Sequence, residues 1–202
     1  MSNKFCDTVR GLSPGLFFRE LLEVLRAASD KSTFGEHWGQ SKPRTNIMLG
    51  CGDDREKSLL VQVLREVGLP IDDRDMVQAP SFERYGDLIY FSPDWDGGKS
   101  HPELHIEVEN NIKELKGTIS DLLFIQSHFK VAVFYADKDG GPKPDSWVRV
   151  FADHPFHQSP DIKYILIFLP TKVTPGFPDG AYAYSASAGG VKDPASWDPL
   201  SG

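Results

Sequence analysis

Apolar residues Leu16, Phe17, Leu21, Val24 and Leu25 recur at helical spacing behind Leu12-Ser13-Pro14, where an N-cap serine precedes a proline at the first helical position. A helix is predicted there. From about Ser29 to Arg44 the periodicity lapses into Gly, Ser and Pro, the composition of a loop, and Thr45–Gly50 has the makings of a short strand. Leu60, Val63, Leu64 and Val67 then mark a second helix over roughly Arg55–Val67, capped by Asp53 or Asp54 and closed by Gly68. An extra strand is expected around Met76–Ala79.

The pattern next changes to period two. Asp87–Phe91 and Leu104–Glu109 read as paired strands of a hairpin about Gly97, because Leu104, Ile106 and Val108 alternate with His105, Glu107 and Glu109. Helical spacing returns over Asn110–Ser127. Phe129–Tyr135 and Lys163–Phe168 are runs of Val, Ile, Phe and Tyr that suit strands buried on both faces. Trp147–Phe151 opens a further element, helix or strand. Beyond Thr171, Pro and Gly dominate, with one late strand over Ala181–Ser185 and a mobile tail from Gly189. A meander followed by a helix and another strand implies a crossover connection and a parallel pair. The fold expected is α/β, with a central mixed β-sheet flanked by helices. Residues 1–44 form an N-terminal helix and loop packing on the core, 45–170 the α/β core, and 171–202 a Pro/Gly-rich C-terminal extension.

Candidate chemistry lies on the hairpin. With the turn at Gly97, Asp87 falls opposite or nearly opposite Glu107, and cross-strand neighbours stand about 4.5–5.5 Å apart. Two carboxylates at that separation repel, raising one pKa, unless a divalent cation bridges them. Mg²⁺ suits such a pair, because it takes one or two protein carboxylates and keeps water and phosphate oxygens in its other positions. The alternative for Glu107 and Glu109 is a solvated polar face of an antiparallel sheet. Glu56 shares the inward stripe of the second helix; it is either a supporting ligand or a carboxylate placed to suit the helix dipole.

Composition narrows the picture modestly. The chain has 202 residues, 40% of them apolar and 25% charged, so it can bury a full core. The net charge of −7 argues against a protein that grips nucleic acid by an extended basic surface, leaving local patches such as Lys42/Arg44 or Lys113/Lys116/Lys130. No apolar run approaches bilayer-spanning length, so no membrane association is expected. The N-terminus lacks a signal-peptide pattern. Cys6 and Cys51 are too few for a disulfide framework, which points to a cytoplasmic protein. Trp38, Trp95, Trp147 and Trp197 sit in loop-like surroundings, either exposed for stacking or buried in small clusters. His154 and His157 in a Pro-containing loop are surface histidines before they are metal ligands.

The order of elements, with Asp87 opening one hairpin strand and Glu107-Val108-Glu109 in the next, resembles the PD-(D/E)XK nuclease superfamily over roughly Asp54 to Pro170. The resemblance implies a restriction-endonuclease-like three-layer sandwich and a Mg²⁺-dependent endonuclease, with Mn²⁺ as a substitute. By position Asp87, Glu107 and Glu56 would be the metal ligands. Glu109 stands where the family usually has lysine, as it does in a minority of members, and would act as a base or second-metal ligand. Lys116, or Lys113, would supply the missing cation beside the scissile phosphate. Nucleic acid is the implied partner, DNA ahead of RNA, and a homodimer is compatible with it. A catalytically silent accessory or binding module on the same fold is the competing expectation, favoured by the absent lysine and the net acidity.

Overall fold

The computed structural model describes residues 9–50, 57–69, 87–90, 102–137, 141–153 and 161–200, together with the backbone of 76–77. The first helix, α1 (Pro14–Ser29), begins as expected: Ser13 is extended and its hydroxyl oxygen accepts from Leu16 N–H. Its stripe of Phe17, Phe18, Leu21, Leu22 and Leu25 is buried. Two helices replace the loop and strand expected after it, α2 (Phe34–Trp38) and α3 (Ser41–Leu49). The fourth helix, α4 (Leu59–Glu66), starts later than the sequence suggests, because Ser58 is its cap. The Ser58 hydroxyl accepts from Val61 N–H and donates to Met48 O at 2.6 Å, which ties α4 to the end of α3. Gly68, at φ 84°, closes it in the left-handed region that glycine enters without strain.

Among the described residues seven strands form one mixed sheet: β1 (Met76–Val77), β2 (Leu88–Tyr90), β3 (Leu104–Glu109), β4 (Phe129–Tyr135), β5 (Lys163–Leu169), β6 (Tyr182–Ser187) and β7 (Asp198–Leu200). Strand order follows chain order. The β3–β4 and β4–β5 pairs are parallel and the other four antiparallel. The crossover from β3 to β4 runs through a 3-10 turn at Ile112–Glu114 and helix α5 (Leu115–Phe124), so the helix expected over Asn110–Ser127 is shorter at both ends. The Asn111 side chain accepts from Lys113 N–H and starts the turn. Helix α6 (Val148–Asp153) lies between β4 and β5.

Alternation along the strands sorts the core into two layers. Val131, Val133, Ile165, Ile167 and Ile106 meet α1 to α4 on one face. Ala132, Phe134, Leu166 and Phe168 meet α5 and α6 on the other. Helices cover both faces, giving a three-layer α/β sandwich. The sheet continues past Pro170 into β6 and β7. Residues 189–200 are no mobile tail, since Val191 is fully buried and Trp197 is 3% exposed, its Nε1–H donating to Val191 O. Trp38 and Trp147 are also fully buried, which removes the described tryptophans as stacking platforms; Trp95 lies outside the described residues. His154 and His157 do so too. Among the described residues no helix is long and apolar enough to cross a membrane.

Candidate functional site

Strand β3 carries the site because its register to β2 is fixed by the apolar face. Leu88 pairs with Ile106 and Ile89 with His105, so one step further Asp87 faces Glu107. The two residues are interlocked through the backbone. Val108 N–H donates to Asp87 Oδ2 at 2.7 Å, and the Asp87 backbone also favours the ionised form of Glu107. A one-residue slip would turn Leu104, Ile106 and Val108 out of the core.

The ionisable face of β3 is not open to water. His105 is fully buried beneath α5, and the Glu107 side chain is only 12% exposed. Burial, then the nearby charges of Asp121 and Glu109, pushes the Glu107 carboxyl up to about 8. Burial, then the Glu107 and Glu109 charges, pushes Asp87 up to about 6 against the opposing hydrogen bond from Val108. Burial and then the neighbouring Lys130 ammonium hold His105 down at about 3. His105 Nε2 lies 2.9 Å from Glu107 Oε1. With Glu107 pushed up and His105 pushed down, burial favours the uncharged form of each, so the contact is better described as a hydrogen bond than as an ion pair. Lys130, expected as part of a surface basic patch, is instead 1% exposed, with its Nζ donating to Leu122 O at 3.0 Å. Burial pulls it down to about 7.

Glu109 faces a different environment. Its Oε1 accepts from Asn111 N–H at 2.5 Å and its Oε2 from Thr118 Oγ1 at 3.4 Å, so it braces the start of the crossover. Lys113 and Lys116 are exposed, and among the described residues neither bonds to Asp87, Glu107 or Glu109. Both line a cleft of about 760 Å³ at the carboxyl ends of β3, β4 and β5, together with Tyr135, Asp137 and Thr171. Ligands in open α/β sheets collect at such ends. Glu56 lies outside the described residues, and the helix whose stripe it was expected to share begins only at Leu59.

The donor set suits a hard cation. Asp87 and Glu107 offer oxygen alone, and among the described residues no lysine or arginine bonds to either of these largely buried carboxylates, whose pKa values are raised first by burial. Among the described residues, however, no three acidic, histidine or cysteine side chains converge as a metal cage.

Sequence reasoning placed Arg44 in a surface basic patch with Lys42 and did not foresee its burial beside the end of β3. Only 6% exposed, it reaches from α3 to Asn110, the residue after Glu109. The site therefore sits within a seven-stranded three-layer α/β protein as a buried carboxylate pair beside a partly basic cleft. No family model, curated protein or solved structure matches this chain.

Proposed function

We propose that this protein is a divalent-metal-dependent phosphodiester hydrolase of the PD-(D/E)XK kind, acting on nucleic acid. One observation carries the reading: Asp87 and Glu107 face each other across the β2–β3 pairing, largely buried, tied by the Val108 N–H bond to Asp87, and both pushed up toward neutrality by burial. The meander, crossover helix and parallel strand that surround the pair support it. Asp87 and Glu107 would hold Mg²⁺, or Mn²⁺ in its place, with Glu56 as a supporting ligand. A bound divalent cation supplies Lewis-acid activation of water and neutralises charge on a phosphate.

The chain's own residues do the rest. When Glu107 is ionised, His105 Nε2–H donates to Oε1 and fixes the carboxylate, leaving Oε2 as a ligand, in the manner of an imidazole that orients a metal-binding group. Glu109 accepts the proton of the attacking water. Lys116, or Lys113, reaches from the cleft wall to the phosphate. DNA is the expected substrate ahead of RNA, with two copies acting together on two strands in the cytoplasm.

Glu107→Ala should abolish Mg²⁺-dependent cleavage of labelled DNA while the protein remains folded. Glu109→Gln should lower it by roughly 10²–10⁴-fold, and Glu109→Lys should keep or raise it. Parallel assays on single- and double-stranded DNA and RNA, with Mg²⁺ and with Mn²⁺, decide the matter; absence of cleavage by every protein sinks the enzyme reading. The second reading, a silent binding module, rests on Glu109, whose carboxylate serves Asn111 and Thr118. That module predicts nucleic-acid or partner binding that is indifferent to Glu109 substitutions.

A further inference from the structure

A buried arginine is normally paired with an acid, because an isolated charge out of water is costly. Arg44 is not. Its Nε and Nη2 both donate to the neutral Asn110 Oδ1, at 3.2 and 3.1 Å, and among the described residues Nη1 makes no hydrogen bond and the guanidinium no ion pair. The group is also held flat: Cζ lies 3.7 Å from the centre of the Tyr135 ring.

The orientation of Asn110 follows from its own partner. Thr45 Oγ1 donates to Ser41 O, so its oxygen is left to accept from Asn110 Nδ2, which turns Oδ1 toward Arg44. Three residues thus fix the guanidinium, and among the described residues no acid compensates its charge. Tyr135 adds an independent sign of a missing ligand. It is 3% exposed, its hydroxyl has no hydrogen-bond partner among the described residues, and that hydroxyl feels both Arg44 and Asp87. Tyr135 also ends β4 and lines the cleft that holds Lys113 and Lys116. Arg44 does not itself line that cleft; it lies against the Tyr135 ring and Asn110, at the carboxyl ends of β3 and β4. A guanidinium suits a phosphate better than an ammonium does, since its fork matches two oxygens at once.

We propose that Arg44, braced by Asn110 and Tyr135, binds a non-bridging oxygen of a phosphodiester in a nucleic-acid strand lying along the Lys113/Lys116 cleft. This deepens the phosphodiesterase reading and rests on it for the identity of the strand, but it concerns binding and needs no metal. The opposing view is that Arg44 only docks α3 onto the end of the sheet.

The test is fluorescence anisotropy of a labelled oligonucleotide at low salt in chelator, where nothing is cut, with thermal unfolding as a check on each variant. Arg44→Lys keeps the charge but loses the fork, and affinity should fall about tenfold or more with an unchanged salt slope. Arg44→Gln should also reduce the salt slope by about one. Tyr135→Phe removes only the hydroxyl and should weaken binding a few-fold, while Lys113→Gln with Lys116→Gln should lower both affinity and slope. The oligonucleotide should raise the melting temperature of wild type but not of Arg44→Lys. If Arg44→Gln does not fold, Arg44→Lys and Tyr135→Phe decide: wild-type affinity in both assigns Arg44 a docking role alone and overturns the proposal. Failure of wild type to bind the oligonucleotide also overturns it. Competition by inorganic phosphate or a 5′-mononucleotide as effective as by the unlabelled strand overturns the assignment to a strand. The two readings separate cleanly. Arg44-dependent binding without Mg²⁺-dependent cleavage would leave this site standing and remove the hydrolase, whereas cleavage with binding indifferent to Arg44 would do the reverse.

Discussion

Strands β3 and β5 lie two places apart in one sheet, and helices cover both, yet only β5 is apolar on both faces. Ile165, Ile167 and Leu169 fill one layer, and Tyr164, Leu166 and Phe168 the other. On β3 the first face is equally apolar, with Leu104, Ile106 and Val108. The second carries His105, Glu107 and Glu109 into partial or complete burial. Burying an apolar side chain stabilises a fold by about 1.5–3 kcal/mol, while burying an ionisable one costs free energy unless it is neutralised or paired. β5 is therefore built for stability. β3 gives up part of it to hold carboxyl groups poised between their charged and uncharged forms, which a solvated sheet face would not do.

The largest effect is expected on β5. Phe168 is fully buried and stacks on Phe134, Trp147 and Tyr182, so Phe168→Ala should cost about 3–5 kcal/mol in urea unfolding at constant m. A loss below about 1 kcal/mol would erase the contrast between the strands.

On β3 the expected sign is opposite and depends on pH. The folded Glu107 carboxyl, at about 8 against an ordinary 4.5, binds its proton more tightly than the unfolded one. Its cost is fully present above pH 8 and is relieved as pH falls toward 4.5. Metal-free wild type should therefore gain on Glu107→Gln between pH 8.5 and 6.5, by at most about 1.4 kcal/mol per pH unit. Below pH 6.5 the comparison is confounded, because His105, held down at about 3, takes up a proton only on unfolding and lowers stability as pH falls. Glu107→Gln more stable than wild type at pH 8.5 in chelator, with the gap closing on addition of Mg²⁺, is the full expected pattern; a pH-independent gap would mean that Glu107 is not the group titrating.

The smallest effect at pH 7 belongs to Lys130 on the intervening strand, which pairs with His105 and supplies a donor to a carbonyl in the last turn of α5. Lys130→Met loses that bond but also the burial of a charge, so stability at pH 7 should stay within roughly 1 kcal/mol of wild type. The folded lysine, at about 7 against 10.5, binds its proton more weakly than the unfolded one. Its cost is present below pH 7 and is relieved as pH rises to 10.5, so wild type should gain on Lys130→Met over that range. Chemical denaturation at pH 7 and pH 9.5 measures it, and equal differences at the two values would contradict the assignment.

Much of this arrangement was legible in the sequence, for local reasons. The Ser13-Pro14 start of α1, the alternation along β3 and the apolar runs of β4 and β5 are patterns carried by near neighbours in the chain. Where local signals were weak, the reading failed. Helix α3 has almost no amphipathic character, so its first residues suggested a loop and Thr45–Gly50 a short strand. Ser58 became a cap because Met48 lies within reach of its hydroxyl, a contact that spacing cannot reveal. Trp197 and Val191 looked like part of a tail because the surface they cover is made by α6, β5 and β6.

The sequence by itself determined which side chains share a face of β3 and that a crossover must follow it, since strand and helix periods are properties of the backbone. Only the tertiary structure decided what that face would experience. Helix α5 closes over His105 and Glu107, changing their dielectric surroundings and hence their pKa values, while Glu109, two residues on, turns to brace Asn111 and Thr118. Arg44 meets Asn110 across 66 residues of chain and Tyr135 across the sheet end. Burial and long-range pairing depend on how layers stack, and no local period encodes them.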